Sequence, residues 1–374
     1  MQAAAAPAPR RSAFWLLPLL LHATAASAPP ILVVCGCSLD QRVPLLTMID
    51  SVIRHRRSED GRELHVRVHS DPHEALPPLW RRLLGCIFPP ATPVLQLTVH
   101  TFNQSAWTPA IVTRSLDPGT SRLGSAYNWF RWYLPTTITE ERFLYMDCDT
   151  LVRRDVAELF DATMFLPRWH KPAAIAAVFT PQPLKHFLCA KTLTIRKWLF
   201  PRPDGTRVSV LSTEVKALNA GVLLFDSREW REQRALDKWH TLAVRTEKGG
   251  CLWRLAGQPE LQLIFGEQIA KLDPRWNHGW LGSTDWLLRQ YGPSFTRGWA
   301  RNASTNAFML HWNGPLKPWA MRRPPAARSE QATPVAGQPL AAALWWSAAT
   351  LVHGELERCD ASFRAWSSQH AAAS

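Results

Sequence analysis

Two carboxylates one residue apart, Asp147 and Asp149, lie within the run FLYMDCDTLV, residues Phe143 to Val152. Four apolar or aromatic residues in a row, after Glu140-Glu141-Arg142, predict a short strand buried on both faces. Side chains alternate along a strand, so Asp147 and Asp149 would share one face and Cys148 would turn the other way, into the core. Like charges that close raise each other's proton affinity, and leaving them desolvated and unpaired is costly. A positive group belongs between them: a divalent cation first, a nearby Arg or Lys otherwise. A D-x-D turns up about once by chance in a chain of this length, so the pair acquires meaning only from the rest of the sequence.

The second stretch that could do chemistry is HWNGPLKPW, His311 to Trp319. His311 closes the apolar run AFMLH, where a structural histidine is the default, but Gly314 and Lys317 follow at short intervals. Glycine lets a backbone approach a ligand closely, and lysine offers a point charge to phosphate. Two carboxylates and an imidazole suit Mn²⁺ or a similar divalent ion, with diphosphate oxygens completing the shell.

These residues need a frame. ILVV (Ile31 to Val34), ELHVRVH (Glu63 to His69), VLQLTVHTF (Val94 to Phe102), AAIAAVF (Ala173 to Phe179) and LNAGVLLFD (Leu218 to Asp226) read as strands. VPLLTMIDSVIRH, the proline-started LPPLWRRLLGCIF, SAYNWFRWYLP and REWREQRALDKWHTLAVR read as helices, the third stopped by its proline. Strands alternating with helices give a mostly parallel sheet covered on both faces, with ligands at the carboxyl ends of the strands, where Asp147 and Asp149 fall. Pro181 to Lys216 reads as a long basic loop, Arg322 to Gln338 as a linker, and Leu340 to Arg358 as one Ala-rich helix docked through Leu344, Leu351 and Val352.

The composition is that of an ordinary globular protein with a substantial core. Of 374 residues, 43 are basic and 30 acidic, but the excess is spread along the chain rather than held in blocks, which argues against a nucleic-acid binder. It suits an anionic substrate such as a nucleotide diphosphate, or an acidic glycan, or solubility alone. The densest cluster, Arg54 to Arg57, follows an apolar helix and reads as its solvated end. For each of the 19 tryptophans the core is the favoured place, so their number only hints at carbohydrate.

Residues 1–28 read as a targeting segment: Arg10-Arg11, the apolar AFWLLPLLL, then small residues ATAASA. The apolar core is short for a membrane span, and Pro29-Pro30 would make an unusual cleavage junction, so a cleaved signal and a signal-anchor both stand. In an oxidising lumen the seven cysteines would form one or two disulfides and leave at least one thiol free. Asn103 and Asn302 begin acceptable glycosylation sequons.

Four blocks in order, FRWYLP, YMDCDTLV, NAGVLLFD and HWNGPLKPW, resemble glycosyltransferase family 8, and LAGQPELQLIFGEQIAKLDPRWNHGWLG is similar to the plant galacturonosyltransferase-like and animal glycosyltransferase 8 domain-containing proteins. The resemblance implies a GT-A fold, a single Rossmann-like nucleotide-binding domain over residues 29–322 with a helical tail after it. It implies a retaining glycosyltransferase, a hexosyl- or uronosyltransferase, that moves a sugar from a UDP-sugar to a glycan, glycoprotein or other acceptor in the secretory pathway, most often the Golgi lumen. Carried onto this chain, Asp147, Asp149 and His311 bind Mn²⁺ or another divalent cation. Asp147, Asn219, Ala220, Gly221, Gly314 and Lys317 hold the donor, while Gln258, Lys317 and Arg131 serve catalysis. Trp276 and Asn277 match a "WN" pair read as structural. Two departures stand out: Gly257 occupies the place of an Asp that many members pair with the Gln, and CGCSLDQ lacks the aromatic that some use to stack uracil. No carboxylate is an evident nucleophile, which favours departure and attack on one face of the sugar.

Two other readings fit the same residues. MDCDT also fits the D-x-D-x-T of haloacid-dehalogenase-like phosphatases, but the later acidic pair of that fold is missing. The absent Asp beside Gln258 leaves room for a catalytically degenerate sugar-nucleotide binder.

Overall fold

The computed structural model describes residues 28–38, 41–70, 76–88, 95–101, 126–189, 214–246, 257–320, 338–360 and 363–364. The targeting segment up to residue 27, the Asn103 sequon, the linker 323–337 and most of the 181–216 loop therefore lie outside the described residues.

The strands are β1 (Ile31–Gly36), β2 (Leu64–Ser70), β3 (Leu95–Thr101), β4 (Arg142–Met146), β5 (Thr150–Val152), β6 (Phe165–Leu166), β7 (Lys171–Pro172), β8 (Ile175–Pro183), β9 (Lys216–Asp226), β10 (Ala270–Lys271) and β11 (Met309–His311). Seven of them form one sheet in the order β10-β8-β9-β4-β1-β2-β3. β1, β2, β3 and β4 run parallel, and β10 runs parallel to β8. Only β9 is reversed, antiparallel to both its neighbours. The outcome is the mostly parallel mixed sheet that the alternation of strands and helices predicts. β5 and β11 pair antiparallel as a separate two-stranded ribbon, and β6 and β7 form a small hairpin.

Both faces of the sheet are covered, so strand residues sort by alternation. Ile31, Val33, Leu144, Met146, Val222 and Leu224 enter one core cluster; Leu32, Val34, Phe143, Tyr145, Leu223 and Phe225 enter the other. The helices are α1 (Arg42–His55), α2 (Leu76–Ile87), α3 (Val156–Phe160), α4 (Ser227–Glu232), α5 (Ala235–Thr246), α6 (Pro259–Phe265), α7 (Thr284–Thr305) and α8 (Gln338–Cys359). The long amphipathic run after Asp226 is two helices rather than one, because Arg234 adopts a left-handed φ of 53° between α4 and α5. SAYNWFRWYLP is not a regular helix either. It is a chain of tight turns, Ala126–Asn128 and Phe130–Trp132, and its proline begins the single helical turn Leu134–Thr137 instead of ending one. The aromatic content explains this: Trp129, Phe130 and Trp132 are all fully buried, a distribution no single helix face can provide.

α8 docks on α1 and α2 through Trp345, Ala349, Val352 and Leu356. Leu344 is partly buried against the same core, but Leu351 faces outward, 54% exposed. Cys86–Cys359 ties α2 to this helix across 273 residues of sequence, and Cys37–Cys148 ties the end of β1 to the carboxylate motif. Cys189 is disulfide-bonded as well, so three bonds exist where the sequence suggested one or two; Cys35 is the free, buried thiol. Closing loops this long is worth about 2–5 kcal/mol each. Among the described residues no helix is long and apolar enough to cross a membrane. Asn302 sits half-buried near the end of α7.

Candidate active site

β4 ends at Met146, so Asp147 and Asp149 occupy the turn between β4 and β5 rather than alternate positions on a strand. Convergence of the two carboxylates therefore comes from the turn: Asp147 N–H donates to Gly221 O (2.8 Å), and the Thr150 hydroxyl donates back to Asp147 O (2.8 Å). Cys148 is buried, as alternation predicts, and pinned there by its disulfide. β11 brings His311 opposite Thr150. One ligand atom from each of Asp147, Asp149 and His311 lies within 4.8 Å of the others.

The imidazole is oriented by a relay that starts at the backbone. Gly221 N–H donates to Asn219 Oδ1 (2.9 Å), and a backbone N–H can only donate, which fixes that atom as the carbonyl oxygen. The Asn277 atom at 3.1 Å from it must then be Nδ2, and the Asn277 oxygen faces His311 Nδ1 at 2.9 Å. His311 consequently carries its proton on Nδ1 and presents a bare lone pair at Nε2. That lone pair lies 3.1 Å from Asp149 Oδ1 and 3.9 Å from Asp147 Oδ2. Although Asp149 Oδ1 and His311 Nε2 are close, both are buried and neither makes a hydrogen bond. Acceptors facing one another call for a cation, so this donor set fits a divalent metal of the oxygen-and-imidazole type. Asn277, read from sequence as structural, is the residue that sets the tautomer; a small amide beside a buried Trp276 carried no signal for that role.

Each carboxylate also has one oxygen held by the protein. Asp147 Oδ1 accepts from the Tyr145 hydroxyl. Asp149 Oδ2 accepts from Lys317 Nζ at 2.7 Å, while Nζ also donates to Trp312 O. Burial would raise the Asp149 pKa, but the Lys317 charge outweighs it and holds the carboxyl below its usual range. Lys317 thus stands beside the carboxylate–imidazole cluster, paired with Asp149.

The remaining predicted residues divide into a hub and its supports. Arg131 is 3% exposed and donates to Ala220 O (2.6 Å) and Asn128 O (3.1 Å), with Asp147 Oδ1 3.7 Å away and the Tyr145 ring 4.8 Å below. It braces the motif from beneath. Ala220 N–H donates to Gln258 Oε1 (3.2 Å), which aims the half-buried Gln258 at the same hub. Gly221 is demanded by space: a Cβ there would lie 2.1 Å from His311 Cε1 and 2.9 Å from Asp147 Oδ2. Gly314 packs on backbone, its hypothetical Cβ 2.4 Å from both Gly282 C and Ser283 Oγ.

Beside the cluster runs an aromatic strip that the sequence did not single out. Trp280 stacks on Trp286 (4.7 Å), and Tyr291, Phe295 and Trp299 continue the series to His278. All but His278 are half-buried. Trp280 adopts φ 65°, uncommon for a bulky residue, with its N–H donating to Asn313 Oδ1 at 2.5 Å. The segment from His278 to Ser283 is held against β11 and the turn after it: His278 N–H donates to Met309 O, and Gly314 N–H donates to Leu281 O.

A mixed, mostly parallel sheet with a carboxylate-bearing turn at a strand end defines the class, the GT-A fold. Three solved structures share it: the galactosyltransferase LgtC in complex with donor and acceptor sugar analogues (TM-score 0.51, 16% identity, 86% of this chain and 95% of that one), the glycosyltransferase GlyE of Streptococcus pneumoniae (0.52, 15%, 92% and 64%) and mouse xyloside xylosyltransferase 1 (0.50, 18%, 76% and 98%). The family model of glycosyl transferase family 8 matches residues 42–322, and the chain belongs to that family. Among curated proteins it is similar to human glycosyltransferase 8 domain-containing protein 1, 28% identical over 222 residues that make up 54% of this chain and 53% of that protein. Bovine glycosyltransferase 8 domain-containing protein 2 is 26% identical over 229 residues, 58% and 61%. The chain thus spans little more than half the length of these relatives. The phosphatase reading of MDCDT falls with the family match.

Proposed function

We propose that the chain is a metal-dependent, retaining glycosyltransferase that transfers a sugar from a UDP-sugar to a carbohydrate-bearing acceptor. The observation that carries the proposal is the pair of unsatisfied acceptors, His311 Nε2 and Asp149 Oδ1, meeting at a strand end in a family 8 chain. Asp147, Asp149 and His311 would hold Mn²⁺ or a similar ion, which supplies charge stabilisation to a departing diphosphate. The rest is done by the chain itself. Asn277 keeps the His311 lone pair turned inward, Tyr145 and Arg131 fix Asp147, and Lys317 is placed to exchange Asp149 for a phosphate oxygen and stabilise the leaving charge. Gln258, tethered to Ala220, lines the sugar side of the hub. The half-buried Trp280–Trp286 stack offers an apolar face on which an acceptor sugar can lie. Its backbone strain, of order 1–3 kcal/mol, is the kind a binding site sustains.

The Cys37–Cys148 and Cys86–Cys359 disulfides and the bonded Cys189 support passage through an oxidising compartment, and with Arg10-Arg11 and the apolar stretch after them they favour the secretory pathway and the Golgi lumen, with attachment to the membrane through the N-terminal segment or release from it. A chain expressed in cells that stayed cytosolic with reduced cysteines would end that reading.

One observation favours a second reading, a sugar-nucleotide binder without turnover. Gly257 has φ 77°, and a Cβ there would meet Asn128 O at 2.7 Å, so no Asp fits where many family members carry one. Screening UDP-sugars for Mn²⁺-dependent hydrolysis and transfer separates the two: binding without either reaction selects the binder. Anomeric proton NMR of the first-formed product tests retention, and a β-linked product from an α-linked donor would refute it.

A further inference from the structure

The β5–β11 ribbon has two chemically different ends. At one end His311 pairs with Thr150, next to Asp149. At the other, Met309 pairs with Val152, and the chain opens on a cleft of about 520 Å³ lined by Arg54, Arg56, Arg57, Arg153, Arg154 and Phe308. From Asp149 to Arg153 is about 13 Å of extended chain, so the cleft is distinct from the donor site. His55, Thr305, Asn306 and Ala307 complete the wall with Asp155, its only acid among the described residues.

Asp155 is already committed. Its Oδ2 accepts from Arg56 Nη1 (2.9 Å) and from Arg57 N–H (2.7 Å), and its Oδ1 accepts from Ala157 N–H (2.9 Å) at the start of α3. Arg54 pairs with Asp50 (2.6 Å) and Arg154 with Glu158 (2.7 Å), both on the exposed rim. Among the described residues Arg57 and Arg153 have no acidic partner. Arg153 donates to Ala303 O (2.9 Å), and burial pulls its pKa down, the mark of a cation desolvated without a counter-charge. Arg56 is paired with Asp60 as well as Asp155; its side chain is only 6% exposed, and the donor it has left is a buried Nε–H with no acceptor. Phe308 floors the cleft between the Arg154 and Arg275 guanidinium groups, 4.3 Å and 4.0 Å from its ring.

Two guanidinium groups without an acidic partner among the described residues, Arg57 and Arg153, set beside three paired ones around a concave space, match a tetrahedral oxyanion, which accepts two parallel N–H bonds from one fork. The volume is that of a small-molecule site, larger than a bare ion needs. We infer that this cleft is a second binding site, for a phosphate or sulfate group carried as an ester on a small polar ligand. The arginine cluster that the sequence presents as a solvated helix end is, in three dimensions, one wall of that site.

Calorimetric titration of the full chain tests this with inorganic phosphate, glucose 6-phosphate, a sulfated disaccharide and uncharged glucose. Ionic strength is matched with chloride, and UDP with Mn²⁺ is present to fill the donor site. Phosphate and the esters should bind and glucose should not; tighter binding of an ester than of inorganic phosphate supports a carried group, and equal binding overturns it in favour of a free ion. Arg57→Ala should weaken binding about tenfold, the scale of one charge-assisted contact, and Arg57→Glu should abolish it. Arg57 is exposed, so both variants will fold; Arg153→Lys adds an independent check from the buried side and should weaken the esters several-fold. The inference is overturned if no oxyanion binds, if Arg57→Glu binds as well as the native chain, or if the oxyanion competes with UDP. Repeating the titration on Asp149→Ala without UDP separates the two sites: oxyanion binding there persists even if the donor-site proposal fails.

Discussion

The two ends of the β5–β11 ribbon solve the same electrostatic problem in opposite senses. At the Asp149–His311 end, Tyr145 and Lys317 each hold one outer carboxylate oxygen, while Asp149 Oδ1 and His311 Nε2 converge with no donor. At the Arg153–Phe308 end, guanidinium groups converge, and while Arg54, Arg56 and Arg154 are paired with acids, Arg57 and Arg153 have none among the described residues. A buried carboxyl elsewhere, Glu260, shows what happens when the fold supplies backbone donors but no ion pair. It is fully buried with Oε2 unpaired, and burial pushes its pKa up to about 8, against the backbone donors and Arg131 that pull it down. A lone buried carboxyl keeps its proton; charges that stay ionised when buried need a counter-charge, and the two ends of the ribbon differ in the sign of the one they lack.

The largest expected effect comes from removing a cluster member. Asp149→Ala or His311→Ala should abolish Mn²⁺-dependent UDP binding, a loss beyond the roughly 10- to 100-fold that an outer-shell partner costs. Thermal melts with UDP, with and without Mn²⁺ or chelator, read it directly. Native stabilisation that is equal with and without metal would break the contrast, because the acceptors would then not be waiting for a cation.

Asn277→Leu should follow, with Mn²⁺ affinity falling roughly 10- to 100-fold by metal titration. Nitrogen NMR of His311 should report loss of the Nδ1–H tautomer, a change that a merely loosened core would not single out. An unchanged tautomer would show that the Asn219–Asn277 relay does not set it.

Lys317→Ala should have a smaller, two-signed effect. Freed from its ion pair, Asp149 should take Mn²⁺ several-fold more tightly without nucleotide, while UDP weakens more than UMP because the lost charge serves the distal phosphate. Equal weakening of UDP and UMP would place Lys317 outside the diphosphate contact.

The smallest effect is on stability. Glu260 has its folded pKa raised above its unfolded value of 4.5, so the folded chain binds a proton that the unfolded chain has lost, and stability falls as pH rises from about 4.5 toward 8. Glu260→Gln should therefore melt higher than the native chain at pH 8 by a margin on the order of 2 kcal/mol and differ little at pH 5. The same margin at both pH values would mean that Glu260 has a cation the geometry does not show.

Much of the frame was legible because it depends on local rules. Two-sided burial made β1, β4 and β9 apolar enough to see, and proline and periodicity marked α1 and α2. Where local rules gave way, the cause was tertiary. Asp147 and Asp149 read as strand neighbours but are brought together by a turn tied to Gly221, and the helix expected around Trp132 broke into turns so that three aromatics could all be buried. Leu351 matched the docking pattern, yet Trp345 and Val352 define the face α8 buries, which leaves it outside.

Sequence by itself determined the inventory: a D-x-D, a distal histidine with its glycine and lysine, and the order of blocks that places the chain in family 8. The tertiary structure alone decided which lone pairs face each other. The state of His311 is set by a backbone N–H 90 residues earlier, at Gly221, acting through Asn219 and Asn277. It also decided that Arg56 and Arg153, 97 positions apart, share one cleft, and that Asp155 cannot neutralise them all. Hydrogen-bond direction and desolvation depend on what lies within a few ångströms, and separation along the chain does not specify that.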